Sequence, residues 1–309
     1  MPPSPSPPTN PTTVTALINP SIPLPKPPQN PDQIAPLKIL CLHGYTQSGP
    51  QFSSKTGALR KALSSALSPR PLQFSYPTAP LRLHAADIPG YKVETDGATE
   101  TEAMQAIEAY GWWRRRGNHV QTNAVGGQVV YSGLGAGLDV IASCILAEGP
   151  FDGVIGFSQG ACAAGMVASL LDGKVDERRV GFAEAQARAQ GRRKAHGGMG
   201  EDDGGFGFPD SFLRDDGEVI QGPLRFVVMY SGFAAPGTLY APFWKPQIAG
   251  RSLHVLGGLD TVVGEERSLM LVGAFEEEGR VVVNHPGGHF VPSGKVWLNA
   301  VVGFVKGCF

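Results

Sequence analysis

The chain has 309 residues, of which 42% are hydrophobic, enough to bury one sizeable core. Its formal net charge of −1 excludes the basic field that nucleic acid or an acidic membrane surface requires, and no apolar run reaches the length of a bilayer. Four cysteines, Cys41, Cys144, Cys162 and Cys308, have no paired spacing, so buried free thiols in a reducing compartment are expected, with a cytoplasmic location and the nucleus also compatible.

Residues 1–36 carry 13 of the 27 prolines and little apolar periodicity, so a disordered arm is expected there. Its opening, Met1-Pro2-Pro3-Ser4, lacks the charged and apolar regions of a secretory signal. Pro23-Leu24-Pro25-Lys26-Pro27-Pro28 has the composition of a ligand for a Pro-recognising domain, but reads first as a linker or leader.

From residue 37 to 309 a single catalytic domain is expected. Strand-like runs at 37–43, 72–76, 153–157, 225–230, 252–256 and 280–284 alternate with helical runs near 51–67, 132–147, 159–171, 263–277 and 293–305. This alternation predicts an α/β fold with a mostly parallel sheet of about six strands covered by helices on both faces. Ligands then bind at the C-terminal edge of the strands. The first strand ends in His43-Gly44-Tyr45, a loop placed to offer the Tyr45 N–H to an oxyanion. Two connections interrupt the alternation. Residues 85–131 contain Trp112-Trp113, which suit either core packing or an acyl pocket, and Arg114-Arg115-Arg116, which reads as a solvated charge run. Residues 172–222, rich in Gly, Arg and Asp with a helical stretch at 181–195, read as a mobile surface insertion.

The central motif is Gly156-Phe157-Ser158-Gln159-Gly160, set between the apolar run 151–155 and a small-residue helical run from Ala161 to Leu171. A strand, a tight turn and a helix in this order form an elbow that lifts a nucleophilic serine clear of the sheet, with flanking glycines where side chains would collide. The N–H of Gln159 is the second candidate oxyanion donor. Asp260 follows the strand at 252–256 and a glycine turn, where it suits the acid of a triad; an N-cap role competes, but the order Ser, Asp, His matches the template. After the last strand come His285-Pro286-Gly287-Gly288-His289. His289 is the predicted base, because two glycines let its loop fold back, whereas His285 belongs to the strand end. His43, His84, His119, His196 and His254 fit a base less well. Phe233 and Phe290, with Trp112 and Trp113, are candidates to bind an apolar acyl chain.

With these motifs in hand, the chain resembles the fungal FSH family of serine hydrolases, within the α/β-hydrolase superfamily. The resemblance rests on residues 38–49, Trp112-Trp113, residues 149–161, Ser231-Gly232-Phe233, Gly258-Leu259-Asp260 and residues 285–289. It implies an α/β-hydrolase fold, Ser158, Asp260 and His289 as triad, and carboxylesterase or thioesterase activity, in some relatives the release of polyketide acyl chains. The Pro-rich start and the Gly/Arg-rich stretch after the elbow helix are longer than the family pattern requires. The resulting expectation is a serine hydrolase acting on a small-molecule acyl ester or thioester without metal or cofactor. The alternatives are a peptidase or amidase, a catalytically weak acyl-metabolite binding protein, or an interaction partner acting through its arm.

Overall fold

The structure, a computed structural model, describes residues 34–84, 87–88, 108–116, 129–196 and 206–309, with 192–196 as backbone alone. The contacts divide the chain into Met1–Ala35 and Pro36–Phe309, and the fold is that of the second unit. The predicted arm, save its last three residues, lies outside the described residues.

Six parallel strands form the sheet: β1 (Leu37–Leu42), β2 (Leu72–Ser75), β7 (Gly153–Phe157), β8 (Phe226–Tyr230), β9 (Ser252–Gly257) and β10 (Arg280–His285). Their order is β10-β9-β8-β7-β1-β2, so β1, β7 and β8 are neighbours at the centre. Alternation along each strand divides the core in two. Leu40 and Leu42 of β1, Val154 of β7 and Met229 of β8 face a layer built on α3 (Leu134–Glu148) and α4 (Gln159–Leu170). Ile39, Cys41, Ile155 and Val228 face the opposite layer, of α1 (Gly49–Lys55), α2 (Gly57–Ala66) and α8 (Lys295–Lys306). Burial on both faces explains why these strands read as continuous apolar runs. The predicted α/β-hydrolase architecture is the one observed.

Several elements differ from expectation. The helical run at 51–67 is two helices, because the Thr56 hydroxyl donates back to the Phe52 carbonyl and meets the Tyr76 hydroxyl at 2.7 Å where α1 ends. The connection 85–131 supplies parts of two small antiparallel sheets, β3 (Leu81–Arg82) with β4 (Tyr110–Gly111) and β5 (Arg114–Arg116) with β6 (Val130–Ser132). Strands of two or three residues carry no usable periodicity. The triple arginine is thus a strand, not simply a charged loop.

The stretch 172–222 also departs from the mobile insertion expected of it. Its described part contains α5 (Val175–His196), which buries Phe182 against Phe206, Phe208 and Phe243 of α6 (Ala241–Trp244). Arg178, fully buried, pairs with Asp172 at 2.5 Å and donates to the carbonyls of Pro242 and Phe243. Sparse aromatics and one ion pair tie down a segment whose composition reads as polar. In the same layer as α3 and α4, α7 (Glu265–Gly273) buries Leu271. Among the described residues no helix is long and apolar enough to cross a membrane.

Candidate active site

Ser158 stands between β7 and α4 at φ 53° and ψ −115°, a conformation that few non-glycine residues adopt. It is held there by its own backbone: its N–H donates to the Tyr230 carbonyl at 2.9 Å, and its carbonyl accepts from Ala161 and Cys162. The flanking glycines are steric necessities. A Cβ on Gly156 would lie 2.3 Å from the Gly160 carbonyl oxygen, and one on Gly160 would lie 2.1 Å from that of Leu42. Together these constraints present Oγ at the C-terminal edge of the sheet.

The predicted acid and base meet this serine. His289 Nε2 lies 2.9 Å from Ser158 Oγ, and His289 Nδ1 lies 2.7 Å from Asp260 Oδ2. With Asp260 ionised, Nδ1–H donates to the carboxylate and Nε2 is left to accept the serine proton, an assignment made from the network. The other carboxylate oxygen, Oδ1, accepts from the N–H groups of Val262 and Val263, each at 2.9 Å. The capping and catalytic readings of Asp260 therefore describe two oxygens of one group. Burial pushes its pKa up, but the Val263 N–H, His289 and the Ser231 hydroxyl outweigh this and hold it below the ordinary carboxylate value.

The glycine-bearing loop delivers His289 as the sequence implied. Leu259 N–H donates to the Gly287 carbonyl at 3.0 Å, and a Cβ on Gly257 would sit 2.5 Å from the Gly288 carbonyl oxygen. His285 is elsewhere. It is buried between Phe290 and Trp297, and its Nδ1 accepts from the Gly287 N–H, so it braces the turn from behind. His254 is buried in β9 and His84 is exposed; the side chains of His119 and His196 lie outside the described residues.

Each candidate oxyanion donor is free to serve. Among the described residues neither the Tyr45 nor the Gln159 N–H has an acceptor. The loop carrying Tyr45 is fixed from several sides. Gly44 and Gln47 exchange hydrogen bonds, Thr46 at φ 70° donates to the Tyr110 carbonyl, and the Trp112 indole donates to the His43 carbonyl. His43 itself donates from Nδ1 to the Gly44 carbonyl and accepts at Nε2 from the Ala79 N–H; burial lowers its pKa to about 4, so it stays neutral. The Gln159 side chain accepts from the Trp112 N–H and donates to the Trp113 carbonyl, both at 2.8 Å, tying the tryptophan segment to the elbow. Those roles of His43 and of the Gln159 side chain escaped the sequence, whose only signal was polar residues beside the two loops.

A cavity of about 550 Å³ opens at Ser158 and His289. Tyr45, Phe157, Val262, Phe290 and Val291 give it apolar walls, and Lys55 stands on its lining. Phe290 was expected there. Trp112 and Trp113 were candidates for the pocket and are core residues instead, 0% and 2% exposed, with Trp113 stacked on Tyr131. Phe233 is likewise absent from the described lining; it is packed, with the Arg267 guanidinium 4.4 Å from its ring centre. Among the described residues no group of three or more His, Cys, Asp or Glu is arranged to hold a metal ion.

A profile of the family described as serine hydrolase (FSH1) matches residues 33–301. The chain belongs to this family. Among its relatives, the esterase OVCA2 of Danio rerio is 29% identical over 272 residues, covering 88% of this chain and 97% of the relative. The esterase OVCA2 of Xenopus tropicalis is 30% identical over 257 residues, covering 83% and 86%. The family of serine hydrolases 3 protein of Saccharomyces cerevisiae is 29% identical over 273 residues, covering 87% and 84%. Fish and frog relatives make the family wider than the fungal label of the resemblance. This serine hydrolase thus carries its family's chemistry in a chain whose predicted nucleophile, base and acid stand in hydrogen-bonded sequence.

Proposed function

We propose that this serine hydrolase cleaves carboxylic esters or thioesters of an apolar acyl group through an acyl-enzyme on Ser158. The observation that carries the reading is the line Ser158 Oγ, His289, Asp260, with contacts of 2.9 and 2.7 Å, on the wall of a cavity with apolar sides. His289 Nε2 takes the serine proton as Oγ bonds to the acyl carbon. The N–H groups of Tyr45 and Gln159 hold the resulting oxyanion. As the carbon–oxygen or carbon–sulfur bond breaks, His289 returns the proton to the leaving alcohol or thiol. Water then gives a proton to His289, adds to the acyl carbon, and the free acid departs as Oγ is reprotonated. Polyketide-type acyl release from a carrier is one setting for the thioester reaction. Buried free thiols at Cys41, Cys144 and Cys162 support a reducing compartment, the cytoplasm.

The test is a matched series of acyl esters, thioesters and amides, with kcat/KM measured for each. Esters and thioesters should be hydrolysed and amides not, because the amide nitrogen must be protonated as it leaves and the peptide held in line. Activity should rise about fourfold per added methylene, following roughly 0.8 kcal/mol of burial for each, until the cavity is full. A flat response to acyl length would remove the apolar acyl site, and efficient amide cleavage would favour a peptidase.

A further inference from the structure

Three non-glycine residues among those described have positive φ: Thr46 at 70°, Ser158 at 53° and Ser231 at 47°. They occupy the loops that follow β1, β7 and β8, the three central strands. The first lies in the oxyanion loop and the second is the nucleophile. Strain of this kind persists where the surroundings over-determine it, and it concentrates at functional sites. Ser231 has no role yet.

A glycine at 231 would relieve the strain. The neighbouring position shows what glycine is used for here, since a Cβ on Gly232 would lie 2.7 Å from Leu271 and 2.9 Å from the Ala161 side chain. At 231 a side chain is present despite its conformational cost. Its backbone is fixed by donation to the Val255 carbonyl at 2.9 Å. The hydroxyl is 1% exposed as part of the residue and has no hydrogen bond of good geometry, so it is a buried donor in need of an acceptor.

The candidate acceptor is the Asp260 carboxylate. An ionised carboxylate offers about four lone-pair sites. On Asp260, the N–H groups of Val262 and Val263 and the ring of His289 occupy three. Ser231 follows Tyr230, whose carbonyl holds the Ser158 N–H, and its own N–H is bonded to β9, the strand that leads to Asp260; its hydroxyl, which has no hydrogen bond of good geometry, is among the groups that lower the Asp260 pKa. The titratable groups bearing on the carboxylate are His289, in contact with it, and His285, behind the turn.

We propose that Ser231 is a positioning residue of the triad: its hydroxyl donates to the Asp260 carboxylate and holds it in line with His289. The bond shortens when His289 carries the serine proton and the carboxylate must stay both ionised and oriented. This inference rests on the assignment of Ser158, His289 and Asp260 as the triad.

The experiment compares the full-length enzyme with Ser231→Gly and Ser231→Ala. The rate of fluorophosphonate labelling of Ser158, the kcat and KM for an ester, the Tm, and the downfield NMR resonance of the His289 Nδ1–H are measured. Both variants should lose roughly tenfold or more in kcat and labelling rate, the scale of a hydrogen bond to a charged group, with KM little changed. The Nδ1–H resonance should move. Ser231→Gly should keep or raise the Tm as the strain is released, which separates positioning from support of the fold. Wild-type kcat in Ser231→Gly, or a loss of activity that merely tracks loss of folded protein, overturns the role. A wild-type enzyme that takes no label on Ser158 overturns the triad assignment itself, whereas a labelled wild type with an unimpaired Ser231→Gly overturns Ser231 alone.

Discussion

At the scale of single residues, Asp260 shows how one group serves two neighbours. Its Oδ1 fixes the turn through Val262 and Val263, which leaves Oδ2 aimed at His289. Asp260→Asn retains an acceptor for the turn but loses the charge that stabilises the imidazolium and sets its tautomer. Its kcat should fall by about 10⁴-fold with the Tm nearly unchanged, a loss of the size found for this change in the serine protease triad. His289→Ala should abolish turnover, and His285→Ala should leave a measurably active enzyme, because only His289 touches Ser158. Steady-state kinetics of the three variants at equal folded concentration provides the check, and an inactive His285→Ala beside an active His289→Ala would reassign the base. The convergence of Ser158, Asp260 and His289 was legible because each follows a predicted strand and is attended by glycines, local signals within a few residues. Ser231, His43 and the Gln159 side chain were not, since their roles lie in contacts made across 29 to 47 positions of sequence. Trp112 and Trp113 stayed open between core and pocket for the same reason. Their type suits an acyl pocket as well as the core, and only the bonds to Gln159 and His43 show Trp112 bracing the loop that carries Tyr45 and Trp113 tied to the elbow.

At the scale of elements, the six strands were legible almost to the residue: burial on both faces leaves apolar runs in β1, β7, β8 and β9, and the half-exposed edge strands β2 and β10 still show short runs rich in β-branched or aromatic residues between polar turns. The element that composition concealed is α5, whose sequence is largely polar. Its anchoring depends on Phe182 and on Arg178, whose guanidinium spends its donors on Asp172, Pro242 and Phe243. A lone arginine in a polar stretch reads as solvated, and nothing local reveals that it is 0% exposed. Removing it strands the Asp172 carboxylate, which is 1% exposed, with no compensating charge. Arg178→Ala should therefore cost about 3–5 kcal/mol in urea unfolding. Since neither partner lines the cavity, kcat/KM of the folded fraction should be unchanged. Replacing both partners, Arg178→Met with Asp172→Leu, should recover much of the loss, because well-packed apolar groups avoid the desolvation that the pair incurs. A single variant as stable as wild type would show that the pair contributes nothing to anchoring α5.

At the scale of the whole molecule, two buried histidines make stability depend on pH. His43 supports the loop that carries Tyr45, and His254 lies within β9, edge-on to Phe275. Burial lowers their pKa values from 6.5 to about 4 and about 3. Between those values and 6.5 the unfolded chain binds more protons than the folded one, so stability rises with pH across that window and falls as the solution is acidified. Above about pH 7 both histidines are neutral in either state and contribute no slope. His43 alone, at 1.36 kcal/mol per pH unit over the interval from 6.5 to about 4, corresponds to a loss on the order of 3 kcal/mol by pH 4. Asp260 adds to this at lower pH, since a carboxylate held below its ordinary value loses its contribution only as the pH falls through the folded pKa. Urea unfolding measured from pH 8 down to pH 4.5 should thus show a plateau followed by a decline that begins near pH 6.5. His254→Leu fills the same apolar surroundings without a titrating ring, and its Nε2 has no hydrogen-bond partner to lose. The variant should keep the plateau and flatten the decline, leaving the part due to His43. A wild-type curve level through pH 5, or a His254→Leu curve as steep as wild type, would mean that these rings are hydrated or charged in the folded state.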